Sequence, residues 1–540
     1  MQIKTGRPVT MGPKGMVTSP HSLASAAGVD VLRAGGSAVD AAIATSAALS
    51  VMYPHMTSVG GDAFWLIYDA KTKAVRYLDG GGRAAATGTV EWFKSRGHGE
   101  IPFRGILPAT LTTPGAVSSW TEAHAAYGRL PLARNLESAI GYARDGFPVT
   151  ERLAGFIELA APDLAPHAET MAIFMPGGQV PRAGSTLTNP DLARTLQAIG
   201  QHGRAGFYEG AVGAELARFS REKGGFFTEA DLKAQHARWG EALQGTYRDL
   251  TLYETPAPTQ GFTVLEMLNL LEPLGLHTRE YLGADHAHLL VQAKQIAYHD
   301  RDRHLADPRF ADVPMARLIS KKYADERRSL MDPARALPWD KVPSYGSLSG
   351  DTVYIAVVDA EGNAVSLIHS LYGVFGSAVV AGSTGVVLQN RSAYFNLDPA
   401  HPNHVEPGKT PLHTLIASLG FRDDKLWSVV GCMGADGQPQ IHLQTYINLI
   451  DFGCDIQAAL ESPRWLSGRF GLHEPRDTLH IEARFPKATI DELERRGHIL
   501  DRWGDWNEFA GHAHGIVIDP LSGMRYGGSD PRSDGAAIGY

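Results

Sequence analysis

The strongest constraint on the fold lies past the middle of the chain. Residues 330–350 carry Pro333, Pro338 and Pro343 and end in Ser344-Tyr345-Gly346-Ser347-Leu348-Ser349-Gly350, a loop by composition. The periodicity then changes abruptly. TVYIAVVD (352–359) and AVSLIHS (364–370) are apolar runs flanking the turn Ala360-Glu361-Gly362-Asn363, which predicts a β-hairpin. Strands this apolar must be covered on both faces, so other layers have to pack above and below them.

The flanking sequence supplies those layers. Helices are predicted over 21–33, stopped by Gly35-Gly36, and over 37–52, where Ser37 and Asp40 have the spacing of a capping box. The second is apolar on nearly every face and should be buried between layers. Strands are predicted over 63–68 and 74–78. From 130 to 335 the pattern reads as mainly helical, including a long helix from 286 to about 304. After the hairpin, strands are expected at 385–388 and 427–431. Helices follow at 440–452, 456–461 and 488–496, then a last strand at 515–519 and a turn-rich tail. Helices around stacked sheets are the architecture this order suggests.

Length alone, 540 residues, is compatible with about three to four domains. The balance of 50 Lys and Arg against 58 Asp and Glu leaves no electrostatic footprint for nucleic acid. Two cysteines, Cys432 and Cys454, provide neither a disulfide framework nor a four-cysteine zinc site, and a buried apolar thiol is the expected role. His286, His288, Asp300, Asp302 and His304 crowd one helix without a zinc-site spacing, so no metal is expected. The 59 glycines follow no Gly-X-Y repeat and point to tight turns and close backbone approaches. Gly80-Gly81-Gly82 matches neither a P-loop nor a dinucleotide fingerprint and reads as a loop. The first residues lack the apolar stretch of a secretory signal, and no run suits a membrane span, so a cytoplasmic location is expected.

Thr352 has two readings. It is either an ordinary strand-opening residue or a nucleophile. A loop ending in small residues, directly before a threonine that opens a buried strand, suits self-cleavage by attack of the hydroxyl on the preceding carbonyl. The new N-terminal threonine would carry both the nucleophilic hydroxyl and a basic α-amine.

The segments GDTVYIAVVDAEGNAVS (350–366) and FGSAVVAGSTGVVLQN (375–390) resemble the start of the small subunit of gamma-glutamyltranspeptidases. SPHSLASAAGVDVLRAGGSAVDAAIAT (19–45), SVGGDAFWLI (58–67), TTPGAVSSW (112–120), PGKTPLHTL (407–415), GCMGADGQPQ (431–440) and SDPRSDGAAIGY (529–540) are similar to further motifs of that family, in order and nearly end to end.

The resemblance implies an α+β, four-layer αββα N-terminal-nucleophile hydrolase. Its precursor would cleave between Asp351 and Thr352 into a large chain, 1–351, and a small chain, 352–540. These would stay associated as one unit, with a dimer of such heterodimers open to it. Thr352 matches the catalytic threonine and Ser370 the hydroxyl that orients it. Gly434 and Ala435 match the paired residues whose backbone N–H groups form the oxyanion hole. No cofactor is implied.

The departures concern the substrate pocket. Positions that hold the glutamyl α-ammonium in the family correspond to Tyr372, Arg391 and Tyr394, and an arginine repels an ammonium. Arg391 suits a carboxylate instead, although a structural ion-pair arginine is the plainer reading. His413 and Thr414 fall where paired serines contact the substrate carboxylate, and Arg104 best matches the large-subunit arginine. The blocks around Arg391 and His413 resemble the branch that includes oxamate amidohydrolase, with cephalosporin-side-chain hydrolases nearby. The expected substrate is therefore a small carboxylate-bearing amide. The alternatives are a γ-glutamyl hydrolase or transferase acting on glutathione, which needs an ammonium-binding acid such as Asp436, and an unprocessed non-catalytic member.

Overall fold

The computed structural model describes residues 6–106, 111–338, 351–468 and 477–540. Of the loop expected at 330–350, residues 339–350, Gly350 included, lie outside them. So does the side chain of Asp351, although its backbone is described.

Two seven-stranded sheets dominate, and every pairing within them is antiparallel. In chain order their strands are β1 (Thr10–Gly12), β2 (Met16–Ser19), β3 (Asp62–Asp69), β4 (Ala74–Gly80), β5 (Arg238–Gly240), β6 (Leu243–Tyr247) and β7 (Leu250–Glu254). They continue with β8 (Asp351–Val358), β9 (Ala364–Tyr372), β10 (Ser418–Arg422), β11 (Lys425–Cys432), β12 (Ala513–Ile518), β13 (Arg525–Ser529) and β14 (Ala536–Gly539). The first sheet runs β14-β2-β8-β9-β3-β4-β5 and the second β1-β13-β12-β11-β10-β7-β6.

Three apolar interfaces separate four layers. Val353, Ile355 and Val357 of β8 face outward onto helices α1 (Ser22–Arg33) and α2 (Ala38–Met52), with α3 (Leu132–Asp145) in the same apolar cluster. Tyr354, Ala356 and Val358 face inward, meeting Leu419, Val429 and Ile516 of the second sheet. The far side of that sheet packs on α4 (Phe262–Leu271), α5 (Ala284–His304) and α6 (Gln438–Ile450). A side-chain period of two thus sends alternate β8 residues to different cores. Helix α2 is buried along its whole length, and its capping box is formed, with Ser37 N–H donating to Asp40 and Asp40 N–H to the Ser37 hydroxyl. No helix among the described residues is long and apolar enough to cross a membrane.

The structure corrects four expectations. The stretch 130–335 is not helical throughout: β5 and β6 form sheet edges there and β7 lies next to β6, with alternating half-burial along β6 and β7. Residues 385–388 form no strand, because Gly385 turns left-handed (φ 68) and leaves only isolated bridges. The tail beyond 519 contains β13 and β14. The Gly80-Gly81-Gly82 run starts inside β4, and its amides serve carboxylates of the protein: Gly81 N–H donates to Asp79 and Gly82 N–H to Asp62. A Cβ at Gly82 would lie 1.9 Å from the Thr113 carbonyl oxygen, so close packing explains the glycine.

Candidate active site

Strand β8 opens with a register irregularity between Asp351 and Val353. Bulges of this kind re-aim a side chain. Thr352 sits within it, 1% exposed, and its Oγ1 donates to Ser370 Oγ at 3.0 Å. Ser370 lies near the end of β9, opposite Asp62 at the start of β3. Its hydroxyl oxygen also accepts from Tyr372 N–H at 2.8 Å and from Arg391 Nη2 at 3.1 Å.

Arg391 is fully buried. Its Nη1 donates to Thr414 Oγ1 at 3.0 Å, and its guanidinium lies 4.7 Å from the Tyr372 ring centre and 5.7 Å from that of Tyr394. Among the described residues no carboxylate comes within 4.0 Å of it. The plainer reading, a structural ion-pair arginine, finds no acid to pair with among the described residues. Burial pulls the Arg391 pKa down, opposed by the more distant Tyr394, Asp62, Tyr372 and Asp436.

The chain of contacts continues to the oxyanion candidates. Gln260 Nε2 donates to the Thr414 carbonyl at 2.8 Å and to the Ala435 carbonyl at 3.1 Å. One polar path therefore joins Thr352, Ser370, Arg391, Thr414, Gln260 and Ala435. After β11 the backbone turns through Gly434 (φ 137) and Ala435 (φ 47) before α6. Neither amide donates to another described residue. Two free N–H groups beside a helix N-terminus are the donor set that stabilises developing negative charge.

The remaining predicted residues fall around this path. His413 is buried against the Phe64 ring, and burial, then Arg391, hold its pKa well below the usual value. Its Nε2 stands 3.5 Å from Asp62 Oδ2, too far for a hydrogen bond, and both atoms are otherwise unpartnered. The pair is therefore not a formed ion bridge. Arg104 reaches Asp163 at 3.1 Å and the Val374 and Gly376 carbonyls, with Phe103 between it and Tyr372. Asp436 is bound by Arg301 Nη1 at 2.7 Å, and Arg301 also donates to Asp302 and to the side-chain amide oxygen Oε1 of Gln260.

Sequence reasoning missed Asp62, Gln260 and Arg301. Asp62 Oδ1 accepts from Gly82 N–H, Gly115 N–H and Gln389 Nε2. Burial still raises its pKa to about 7, with Arg391 the largest opposing influence. The signal for it was a lone acid after Gly60-Gly61 at the start of an apolar strand. The histidines and aspartates of α5 do structural work: His288 bridges His498 and the Asp332 carbonyl, and Asp300 accepts from Tyr323.

Two stacked antiparallel sheets between helical layers, with a buried threonine opening a central strand, define an N-terminal-nucleophile hydrolase, an enzyme acting on amide bonds. The chain belongs to the gamma-glutamyltranspeptidase family, whose model, described as Gamma-glutamyltranspeptidase, matches residues 24–540. It is 41% identical over 534 residues to the glutathione hydrolase-like YwrD proenzyme of Bacillus subtilis, covering 98% of this chain and 99% of that one. It is 39% identical over 532 residues to the oxamate amidohydrolase proenzyme of Klebsiella pneumoniae, covering 97% and 98%. Cephalosporin acylase from Bacillus halodurans superposes with a TM-score of 0.92 at 35% identity, covering 100% of this chain and 98% of that one.

Proposed function

We propose that the chain cleaves itself between Asp351 and Thr352 and then hydrolyses the amide of a small carboxylate-bearing substrate, with oxamate the first candidate. The observation that carries this reading is Arg391. A buried guanidinium without a carboxylate partner is costly unless an anion joins it, and it stands one hydroxyl, that of Ser370, from the Thr352 nucleophile. That spacing favours a substrate whose carboxylate lies close to its amide carbon. The relative named oxamate amidohydrolase supports the same choice.

After cleavage, the Thr352 α-amine takes the hydroxyl proton as Oγ1 attacks the amide carbon. The Gly434 and Ala435 N–H groups hold the oxyanion. The C–N bond breaks as the amine returns the proton to the leaving nitrogen. Water, deprotonated by the same amine, then releases the acid from the acyl-enzyme. Arg391 and Thr414 anchor the substrate carboxylate, with His413 against the same wall. The two products of cleavage would remain together, since β8 and β9 of the small chain are flanked in one sheet by β2 and β3 of the large chain.

A γ-glutamyl substrate needs an acid facing its ammonium. Asp436, the candidate for that task, is already engaged by Arg301. Mass spectrometry of the purified protein, followed by ammonia release from oxamate, glutaramate and glutathione, tests the proposal. Two chains and preferential turnover of oxamate are expected. Brisk hydrolysis of a γ-glutamyl anilide, with oxamate inert, would overturn it.

A further inference from the structure

A second cationic site lies outside the one containing Thr352. A cavity of about 470 Å³ is lined by Arg83, Arg238 and Arg309, with Phe310 and Pro407 on its apolar side. Arg83 and Arg238 are half-buried. The only side-chain hydrogen bond from Arg83 to a described residue is to the His236 carbonyl, and Arg238 makes none. Neither has a carboxylate within 4.0 Å among the described residues.

The nearby acids are all committed elsewhere. Asp307 is held by Arg309 and receives the Thr410 N–H. Asp79 is buried and accepts from Gly81 N–H. Asp231 caps its own helix at Thr228 and accepts from Ala86 N–H. The cations are also close enough to oppose one another: burial, then Arg238 and Arg309, pull the Arg83 pKa down to about 10. Guanidinium groups held together without acids of their own are stabilised by an anion that accepts from both.

We propose that this cavity binds a small organic dianion, its doubly charged end between Arg83 and Arg238 and its organic body against Phe310 and Pro407. The chemistry is that of a phosphate monoester or a short dicarboxylate. A phosphate ester fits better, because its three terminal oxygens can meet both forks while the ester side carries an apolar or ring-bearing group. The site is independent of the reading given to Arg391.

The test is isothermal titration of the purified enzyme in phosphate-free buffer with adenosine 5′-monophosphate, inorganic phosphate and glutarate. Saturable binding of the nucleotide, tighter than that of phosphate, is expected. Arg238→Gln, which removes a side chain with no described hydrogen bond, should weaken it about 10- to 100-fold and leave amide turnover unchanged. Arg391→Met should leave it intact, which separates this cavity from the active site. Binding of glutarate alone would assign the dianion as a dicarboxylate. No saturable binding of any probe up to about 10 mM would overturn the proposal. So would binding that survives Arg238→Gln or is lost in Arg391→Met.

Discussion

Arg391 donates to the Ser370 hydroxyl oxygen at 3.1 Å, and the same oxygen receives the Thr352 hydroxyl at 3.0 Å. The proposed nucleophile and the proposed carboxylate anchor are therefore positioned by one side chain. Ser370→Ala should disturb both, raising KM and lowering kcat together, whereas Ser370→Thr, which keeps the hydroxyl, should restore most of the activity. Steady-state kinetics on oxamate checks this.

Thr352→Ala should leave a single full-length band on a denaturing gel and reduce turnover to background, because nucleophile and base are lost together. If the variant still splits at the same bond, the assignment of Thr352 is wrong.

Arg391→Met should separate stability from activity. Removing a buried cation that has no carboxylate within 4.0 Å among the described residues relieves a desolvation cost, so the thermal midpoint should hold or rise. Loss of the charge-assisted contact should lower kcat/KM for the carboxylate amide by about 100-fold or more. A strongly destabilised variant would show that Arg391 is structural.

Asp62 makes stability depend on pH. Its pKa rises from 3.8 to about 7 in the fold, so the unfolded chain releases its proton first as pH rises. Its stabilising contribution is complete below about pH 4 and is lost as pH climbs to 7. A displacement of this size corresponds to roughly 4 kcal/mol. Asp62→Asn keeps the oxygen that accepts from Gly82, Gly115 and Gln389 but cannot ionise. The difference in melting temperature between variant and wild type should therefore grow in favour of the variant from pH 4 to pH 8. A difference independent of pH would refute the ionisation of Asp62 in this range.

Ala435 tests the proposed oxyanion turn. It holds φ 47, a left-handed conformation that costs an L-residue about 1–2 kcal/mol. Ala435→Gly should keep turnover, because the donor belongs to the main chain. Ala435→Val should lower both kcat and thermal stability, since a β-branched side chain fits that conformation worst.

The legible parts of the sequence were those governed by local periodicity and capping. The β8–β9 hairpin, the capping box at Ser37 and Asp40, and helix α2 need only neighbouring residues to declare themselves. Strands β6 and β7, the edge strand and its neighbour, were hidden because five-residue strands with half-buried alternation look like polar connections until a sheet receives them. Asp62 and Gln260 were hidden for a related reason. A lone acid or amide acquires a role only from what it faces, and Gln260 faces two carbonyls more than 150 residues away.

By itself the sequence determined the strand opened by Thr352, the turn at Gly434 and Ala435, and the arginine at 391 where an ammonium-binding residue was expected. Each depends on residue type and near neighbours. The tertiary structure decided whether Arg391 had a partner and which acids remained available. Among the described residues it left Arg391 without a carboxylate within 4.0 Å, gave Asp436 to Arg301 and placed Asp62 beside His413. Those outcomes depend on charge and burial across layers brought together from distant parts of the chain, and no local pattern encodes them.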